Sequence, residues 1–175
     1  MNSFSFGKEH IIQAKKGSRD IYNLLERSPI HLSFTKEETK TAKKSLLKMG
    51  LNKNDKFILI INRTQRYLDE TLPGNLDLTH NSFRNSSIND LLPAAEMLVS
   101  KGNTIIRLGE KVGDILKTKN SKIIDYDRRG FRTELLDIYL SANCKYTIGA
   151  SDTGGLAVAG WNFRKPMINL NFSHI

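Results

Sequence analysis

In the segment KFILII, Lys56–Ile61, one lysine is followed by five consecutive apolar residues. A continuous apolar run of this length is typical of a β-strand that is buried on both faces of a parallel sheet. Parallel sheets are covered by helices on their two faces, because their strands are joined by crossover connections. The segment therefore predicts a strand of an α/β domain.

The segment before this strand predicts a helix with a defined start and end. Thr35-Lys36-Glu37-Glu38 fits a capping box, in which the threonine hydroxyl accepts a backbone N–H and the glutamate reaches back to the cap. Ala42, Leu46 and Met49 form one apolar face, and Gly50 ends the helix. Residues 1–34, with a short helix around Asp20–Glu26, are interpreted as a connector.

After KFILII, further strands alternate with helices. The predicted strands are NTIIRLG, SKIIDY, CKYTIGA and KPMINLNF. One predicted helix starts near Asn89, and residues 110–120 are predicted as a weak helix plus a loop. A further helix follows the apolar stripe of Phe131–Ala142, and the last one covers Leu156–Trp161. Such alternation predicts a parallel sheet of about five strands with right-handed crossovers and helices on both faces. Residues 35–175 are thus predicted to form one Rossmann-like domain.

The composition favours anionic partners. The chain has 175 residues and a net charge of +9, and residues 1–50 hold 10 of its Lys and Arg against 5 Asp and Glu. This balance fits phosphorylated metabolites, an acidic membrane surface or nucleic acid, and it also fits plain solubility. Nucleic acid is not an expected partner, because the chain lacks interleaved aromatic residues and helix-turn-helix or RNP-like sequences.

Targeting signals and cysteine content point to the cytoplasm. The N-terminus MNSFSFGKEH has no apolar signal core, and no apolar run is long enough to span a bilayer. We expect a cytoplasmic protein, with the inner membrane surface as a second location. The single cysteine, Cys144, cannot form an internal disulfide and is interpreted as a buried thiol.

Arginines follow several of the predicted strands. Ligands of parallel α/β sheets bind at the carboxyl ends of the strands, so residues that follow a strand are the candidates for binding. The planar guanidinium of arginine suits phosphate oxygens. The candidates are Arg63 after the first strand, Arg84 and Asn85 in the long polar loop behind it, Arg107 at the second strand and Arg132 after the third. His80, in the same long loop, is a candidate general base or an ordinary loop histidine.

The fourth strand is followed by small polar residues and glycines. The stretch TIGASDTGGLAVAG, Thr147–Gly160, places Ser151, Asp152, Thr153, Gly154 and Gly155 between a strand and a helix. A helix start offers free N–H groups and a positive dipole end, and glycines admit a phosphate closely. The stretch is therefore a candidate anion site, in which Asp152 caps the helix or binds a ribose or sugar hydroxyl. The alternative is a turn in which Asp152 only caps the helix.

Other motifs are absent or unsupported. The chain has no G-x-x-x-x-G-K-[ST] loop and no G-x-G-x-x-G spacing, so P-loop and NAD sites are not expected. Asp152-Thr153-Gly154 matches the aspartic-protease triplet, but a predicted helix follows it. Asp125-Tyr126-Asp127 could hold a divalent metal, but Arg128 and Arg129 would oppose a cation. No metal and no cofactor are therefore expected.

Several residues and segments, taken in their order along the chain, carry a resemblance to a known family. These are Arg63, His80, FRNSSI, GNTIIRLG, KIIDY, DIYLSANCKYTIGASDTG and FRKPMINLNF. In this order they resemble a family of bacterial glycosyltransferases associated with surface-polysaccharide synthesis, and the resemblance covers Thr35 to Phe172. The chain departs from the family after the first strand. There Ile60-Ile61-Asn62-Arg63-Thr64 lacks the histidine and the acid of the family's His-Val-Arg-Asp-like sequence.

The resemblance implies a function and a set of residues. The chain would be the donor-side half of a two-domain, GT-B-type transferase, moving a sugar from a nucleotide-sugar to a glycan or lipid-linked glycan, with a partner domain or subunit at the acceptor side. The family's motif positions correspond to Arg63, His80, Arg84, Asn85, Arg107, Asp125, Arg132, Ser151, Asp152 and Gly154. The alternative function is a non-enzymatic domain that binds a nucleotide or another anionic ligand.

Overall fold

The computed structural model of the protein describes residues 23–64, 66, 70, 82–83, 85–110, 113–150 and 155–170. The chain divides into two compact units, Met1–His31 and Leu32–Ile175. In the first unit, the described part contains a single-turn helix, α1 (Leu24–Arg27). The second unit contains the sheet and its helices.

In the second unit, helices lie between successive strands, except that the described residues between the second and the third strand form no helix. The elements are α2 (Lys36–Lys48), β1 (Phe57–Asn62), a 3-10 helix (Ile88–Leu91), α3 (Leu92–Ser100), β2 (Thr104–Arg107), β3 (Ile123–Asp125), α4 (Glu134–Asn143), β4 (Thr147–Ala150), α5 (Gly155–Asn162) and β5 (Met167–Leu170). Each of the five strands lies within a segment predicted from the sequence or extends one residue beyond it. Pro93 occupies the first turn of α3, where its missing N–H is tolerated.

The five strands form one parallel sheet in the order β3-β2-β1-β4-β5. The predicted α/β, Rossmann-like fold is confirmed. β1 is the central strand, and it pairs with β2 on one side and with β4 on the other. Asn62 at the end of β1 lies opposite Ala150 at the end of β4. The carboxyl ends of all strands therefore meet at one edge of the sheet, called the carboxyl edge below.

Helices cover both faces of the sheet. On one face, Ala42 of α2 and Leu140 of α4 pack in the same buried cluster as Leu59 of β1. On the other face, Ala95 of α3 packs with Ile58, the neighbour of Leu59 along the strand. Successive strand residues point to opposite faces, so both sets of β1 side chains are buried, as the apolar run predicts.

Helix α2 begins with the predicted capping box. The Glu38 backbone N–H donates to Thr35 Oγ1 over 3.2 Å, and the Thr35 backbone N–H donates to Glu38 Oε2 over 2.7 Å. The Thr35 hydroxyl also donates to Glu38 Oε2 over 2.9 Å, and the bonds from the Thr35 N–H and hydroxyl lower the pKa of the Glu38 carboxyl. Two N–H groups that the helix itself leaves without partners are thereby satisfied.

Replacing Thr35 with alanine is expected to lower the free energy of unfolding by about 0.5–2 kcal/mol, because the cap loses its side-chain acceptor. Equilibrium unfolding in urea measures the change. Thr35→Ser is the matched control, since it keeps the hydroxyl and should retain most of the stability. An equal loss in Thr35→Ser would attribute the effect to packing of the threonine methyl group.

The weak helix predicted within residues 110–120 is wrong, because residues 113–120 are irregular. Side chains from elsewhere bind the backbone of this segment. Asn89 Nδ2 donates to the Ile115 carbonyl over 3.0 Å, and the Lys117 N–H donates to Asn89 Oδ1 over 2.9 Å. These bonds replace the intrahelical bonds that a helix would form.

Cys144 is a free, buried thiol at the end of α4. Its Sγ lies 3.4 Å from the Ser141 carbonyl oxygen. Burial raises the pKa of the Cys144 thiol, so the protonated form is favoured. The interpretation of this residue as a core thiol is confirmed.

Candidate functional site

The strand order reverses at the carboxyl edge between β1 and β4. The connection from β1 leads outward to β2 and β3, whereas β4 leads outward to β5 on the other side. In open parallel sheets, the crevice at such a reversal is where ligands bind. Arg63 follows β1 directly, and Gly155 is the first residue of α5, the helix that follows β4. The reversal thus lies between the end of β1 and the helix start that the sequence predicts as an anion site.

The structure ties residues 85–87 to the end of β1. Asn62 Nδ2 donates to the Ser86 carbonyl over 2.7 Å, and the Ser86 N–H donates to the Arg63 carbonyl over 3.2 Å. Two predicted site residues, Arg63 and Asn85, are therefore brought together although they are far apart in the sequence. Both are partly buried.

Six other predicted site residues lie outside the described residues. They are His80, Arg84, Ser151, Asp152, Thr153 and Gly154. Their expected roles in base catalysis and phosphate binding stay predictions. The described elements on either side of residues 151–154 are β4, which ends at Ala150, and α5, which begins at Gly155. The strand and the helix predicted on the two sides of residues 151–154 are therefore confirmed.

Arg107 is fully buried at the end of β2 and forms a polar cluster there. Its Nη1 lies 3.2 Å from Asp125 Oδ2, and its Nη2 donates to Asn62 Oδ1 over 3.2 Å. Nη1 also donates to the Asp114 carbonyl. Burial lowers the pKa of the Arg107 guanidinium, and the Asp125 carboxylate opposes that change. We call Arg107, Asn62, Asp114 and Asp125 the Arg107 cluster.

The bonding partners of Arg107 decide whether its guanidinium is accessible to the phosphate that the sequence predicts for it. The guanidinium is enclosed by protein and binds a carboxylate, an amide and a carbonyl. A phosphate could reach it only after some of these bonds were broken. The geometry favours an internal role, in which Arg107 fixes Asn62 and, through Asn62, the segment beside Arg63.

The loop after β2 is attached to the same cluster. Ser87 Oγ donates to Asp114 Oδ2 over 2.6 Å, and Arg128 Nη2 donates to the Gly113 carbonyl over 2.7 Å. A Cβ added at Gly113 would lie 3.3 Å from the Thr64 side chain, so the loop contacts the residue that follows Arg63. Residues 113–114 therefore pack against the segment after β1 and stabilise its position.

Arg132 lies between two carboxylates. Its Nη2 is 3.0 Å from Glu110 Oε2 and 3.0 Å from Asp137 Oδ2. Asp137 is 4% exposed, and its Oδ1 forms no hydrogen bond within the described structure. We call these three residues the Arg132 cluster. The two carboxylates share one guanidinium. Arg132 therefore has partners within the protein, whereas the sequence predicts a phosphate as its partner.

The Arg132 cluster changes the protonation of Asp137. Burial and, secondarily, the Glu110 carboxylate raise the pKa of Asp137 to about 7. The Arg132 guanidinium acts in the opposite direction, but it can neutralise only one of the two carboxylates. Since Asp137 is the more deeply buried, it is the one that retains a proton toward neutral pH.

Sequence reasoning places Asn62 directly after the first strand but gives it no role, and it missed Asp114, Glu110 and Asp137 as parts of this edge. For Asp137 the sequence carries a signal, because this carboxylate follows the buried Leu136 and precedes the buried Leu140 on one helix. No sequence pattern marks Glu110 or Asp114. Their roles depend on loop positions that only the folded chain defines.

In the described part of the chain, no group of three or more His, Cys, Asp or Glu residues is placed to hold a metal ion. The Asp125-Tyr126-Asp127 motif is at the carboxyl edge, but the Asp125 carboxylate already faces Arg107 and lies 3.8 Å from Arg128 Nε. Within the same described ranges, no helix combines the length and the apolarity needed to cross a bilayer.

Comparison of the chain with protein-family models, with curated proteins and with solved structures finds no match.

Proposed function

We propose that this domain binds the diphosphate of a nucleotide-sugar at the carboxyl edge between β1 and β4. The observation that carries the proposal is the reversal of strand order at this point, with Arg63 at the end of β1 and the start of α5 after β4. The domain would be the donor-side half of a glycosyltransferase that extends a surface glycan or a lipid-linked glycan. A partner domain or subunit would supply the acceptor side.

Two features of the edge suit a diphosphate. The first residues of a helix have free N–H groups and a partial positive charge, and α5 is the helix that follows β4 along the chain. An arginine at the end of the neighbouring strand adds a charged donor for phosphate oxygens. The net charge of +9 adds a long-range attraction for anions.

Sugar transfer from such a donor needs little covalent chemistry from the protein. An acceptor oxygen forms a bond to the anomeric carbon, and the bond from that carbon to the phosphate oxygen breaks. The acceptor proton would pass to a base, for which His80 is the candidate. The charge that develops on the leaving diphosphate would be stabilised by Arg63 and by the N–H groups at the start of α5.

The Arg107 cluster would support this site without contacting the ligand. Asn62 receives a hydrogen bond from Arg107 and donates one to the Ser86 carbonyl. Both partners hold the strand end from which Arg63 emerges. Binding sites depend on such fixed geometry, because each group ordered in advance reduces the entropy lost on binding.

Replacing Arg63 with glutamine is expected to weaken binding of a nucleoside diphosphate at least tenfold, which corresponds to about 1.4 kcal/mol. Titration calorimetry with GDP, UDP and ADP on the full chain measures the effect. Lys53→Gln is the matched control. It removes the same charge from an exposed turn that precedes β1, at the opposite edge of the sheet, and should bind like the wild type.

Unchanged affinity in Arg63→Gln, or an equal loss in Lys53→Gln, would contradict the assignment of the site. Turnover distinguishes the two functions that share this site. Slow hydrolysis of the nucleotide-sugar by the protein supports a transferase, because water can replace the acceptor. Tight binding without any hydrolysis supports the non-enzymatic binding domain.

A further inference from the structure

Helix α2 presents lysines along its solvent side. Lys36, Lys40, Lys43 and Leu47 follow the spacing i, i+4, i+7 and i+11, which places them in one stripe along the helix. All four are exposed, and Leu47 is 61% exposed. Lys44 and Lys48 widen the stripe on one side. We call these five lysines and Leu47 the α2 lysine face; it extends about 18 Å along the helix axis.

This face is turned away from the core. Ala42 and Met49, the buried residues of this segment, lie on the opposite side of the helix and pack against one face of the sheet. Residues 39–48 hold four lysines and no carboxylate. The acidic residues of α2 are both in its first turn, and one of them, Glu38, is bound by Thr35.

The lysines of this face are not neutralised within the described structure. The ion pairs among the described residues are formed by Arg66 after β1, by Arg107 and Arg128 with Asp125, and by Arg132. Adjacent like charges repel one another, so a row of lysines on one helix slightly destabilises that helix. The capping box at Thr35 and the buried face of α2 offset this repulsion.

We propose that the α2 lysine face docks onto an anionic lipid surface. Clusters of four to eight basic residues on a helix are typical of proteins that bind acidic phospholipids. Lysine stems are apolar and their ammonium groups remain at the headgroups, so the face can lie flat on a bilayer. Leu47 supplies an apolar side chain at one end of the stripe, where it can enter the interface.

A nucleic acid would fit this face less well. α2 contains no aromatic residue on which a base could stack and no arginine that could bind a base edge or a phosphate in bidentate fashion. An exposed leucine gains nothing from a phosphate backbone, whereas a lipid interface accepts both the ammonium groups and the leucine. The composition of the face therefore favours lipid.

Co-sedimentation with vesicles tests the proposal on the full chain. We expect binding to phosphatidylcholine vesicles that contain phosphatidylglycerol, no binding to pure phosphatidylcholine vesicles, and release by salt. The variant Lys36→Gln/Lys40→Gln/Lys43→Gln should bind the anionic vesicles about 100-fold more weakly, since each lysine near such a surface contributes about fivefold in affinity. Glutamine has a helix propensity close to that of lysine, so the fold should be retained.

A second triple variant is the matched control. Lys101→Gln/Lys117→Gln/Lys119→Gln removes the same charge from exposed positions away from α2 and should bind the vesicles nearly as the wild type does. Equal losses in the two triple variants would overturn the proposal, because the attraction would then follow net charge alone. Tighter binding of the wild type to duplex or single-stranded DNA than to vesicles would also overturn it. The nucleotide affinity of the α2 variant should be unchanged, so this test is independent of the ligand proposed at the carboxyl edge.

Discussion

Replacing Arg107 with methionine is expected to lower the free energy of unfolding by about 3–5 kcal/mol. Methionine fills much of the volume of arginine but cannot replace its bonds. Among the described residues, the Asp125 carboxylate would keep Arg128, whose Nε is 3.8 Å from Oδ2 and whose backbone N–H lies 3.5 Å from Oδ1. Asn62 Oδ1 and the Asp114 carbonyl would each lose a donor. Urea unfolding monitored by circular dichroism measures the loss.

A double variant identifies the cause of that loss. In Arg107→Met/Asp125→Asn the uncompensated carboxylate is gone, so at least about 1 kcal/mol of stability should return relative to Arg107→Met. No recovery would mean that the bonds to Asn62 and Asp114 dominate the contribution of Arg107. A loss below about 1 kcal/mol in Arg107→Met itself would contradict the buried ion pair as a source of stability.

The stability of the protein is expected to depend on the protonation of Asp137. Its pKa is raised to about 7 in the folded state from an ordinary 3.8. The folded state therefore binds this proton more tightly than the unfolded state does. Stability from the protonated carboxyl is fully present below pH 4 and is lost as the pH rises toward 7. The total loss should be on the order of 2–4 kcal/mol.

The measurement compares the wild type with Asp137→Asn across pH 4 to 7. The variant cannot titrate at this position, so its free energy of unfolding should fall less with rising pH than that of the wild type. Asp90→Asn, at an exposed position of the 3-10 helix, is the control and should follow the wild type. Parallel profiles for the wild type and Asp137→Asn would show that Arg132 keeps Asp137 ionised throughout.

Much of the fold can be predicted from local patterns. Five consecutive apolar residues of a strand are all buried only where both faces of the sheet are covered. This pattern indicates a parallel sheet at β1. Capping chemistry predicts the start of α2, since the hydrogen bonds involve residues three positions apart. The order of the strands is not local. It places β4 beside β1 although β2 and β3 come between them in the chain.

The candidate site could be predicted as a region more easily than as a set of contacts. The rule that ligands bind at strand ends brings Arg63 and Asn85 to one edge, and the structure places them there. This rule could not show that Arg107 is enclosed by Asn62 and Asp125. The sequence at the end of a strand does not tell whether a side chain there faces solvent or another loop. Glu110, in the loop that follows β2, was missed for the same reason.

The position of β1 in the sheet has a consequence for synthesis on the ribosome. Ile61 of β1 lies in register with Gly149 of β4, 88 residues further along the chain. At translation rates of about 5–20 residues per second, β4 follows β1 after about 4–18 s. During that interval one edge of the FILII segment has no partner strand, since β2 can cover only the other edge. The nascent chain therefore presents its most apolar strand to chaperones and to neighbouring nascent chains until β4 leaves the exit tunnel.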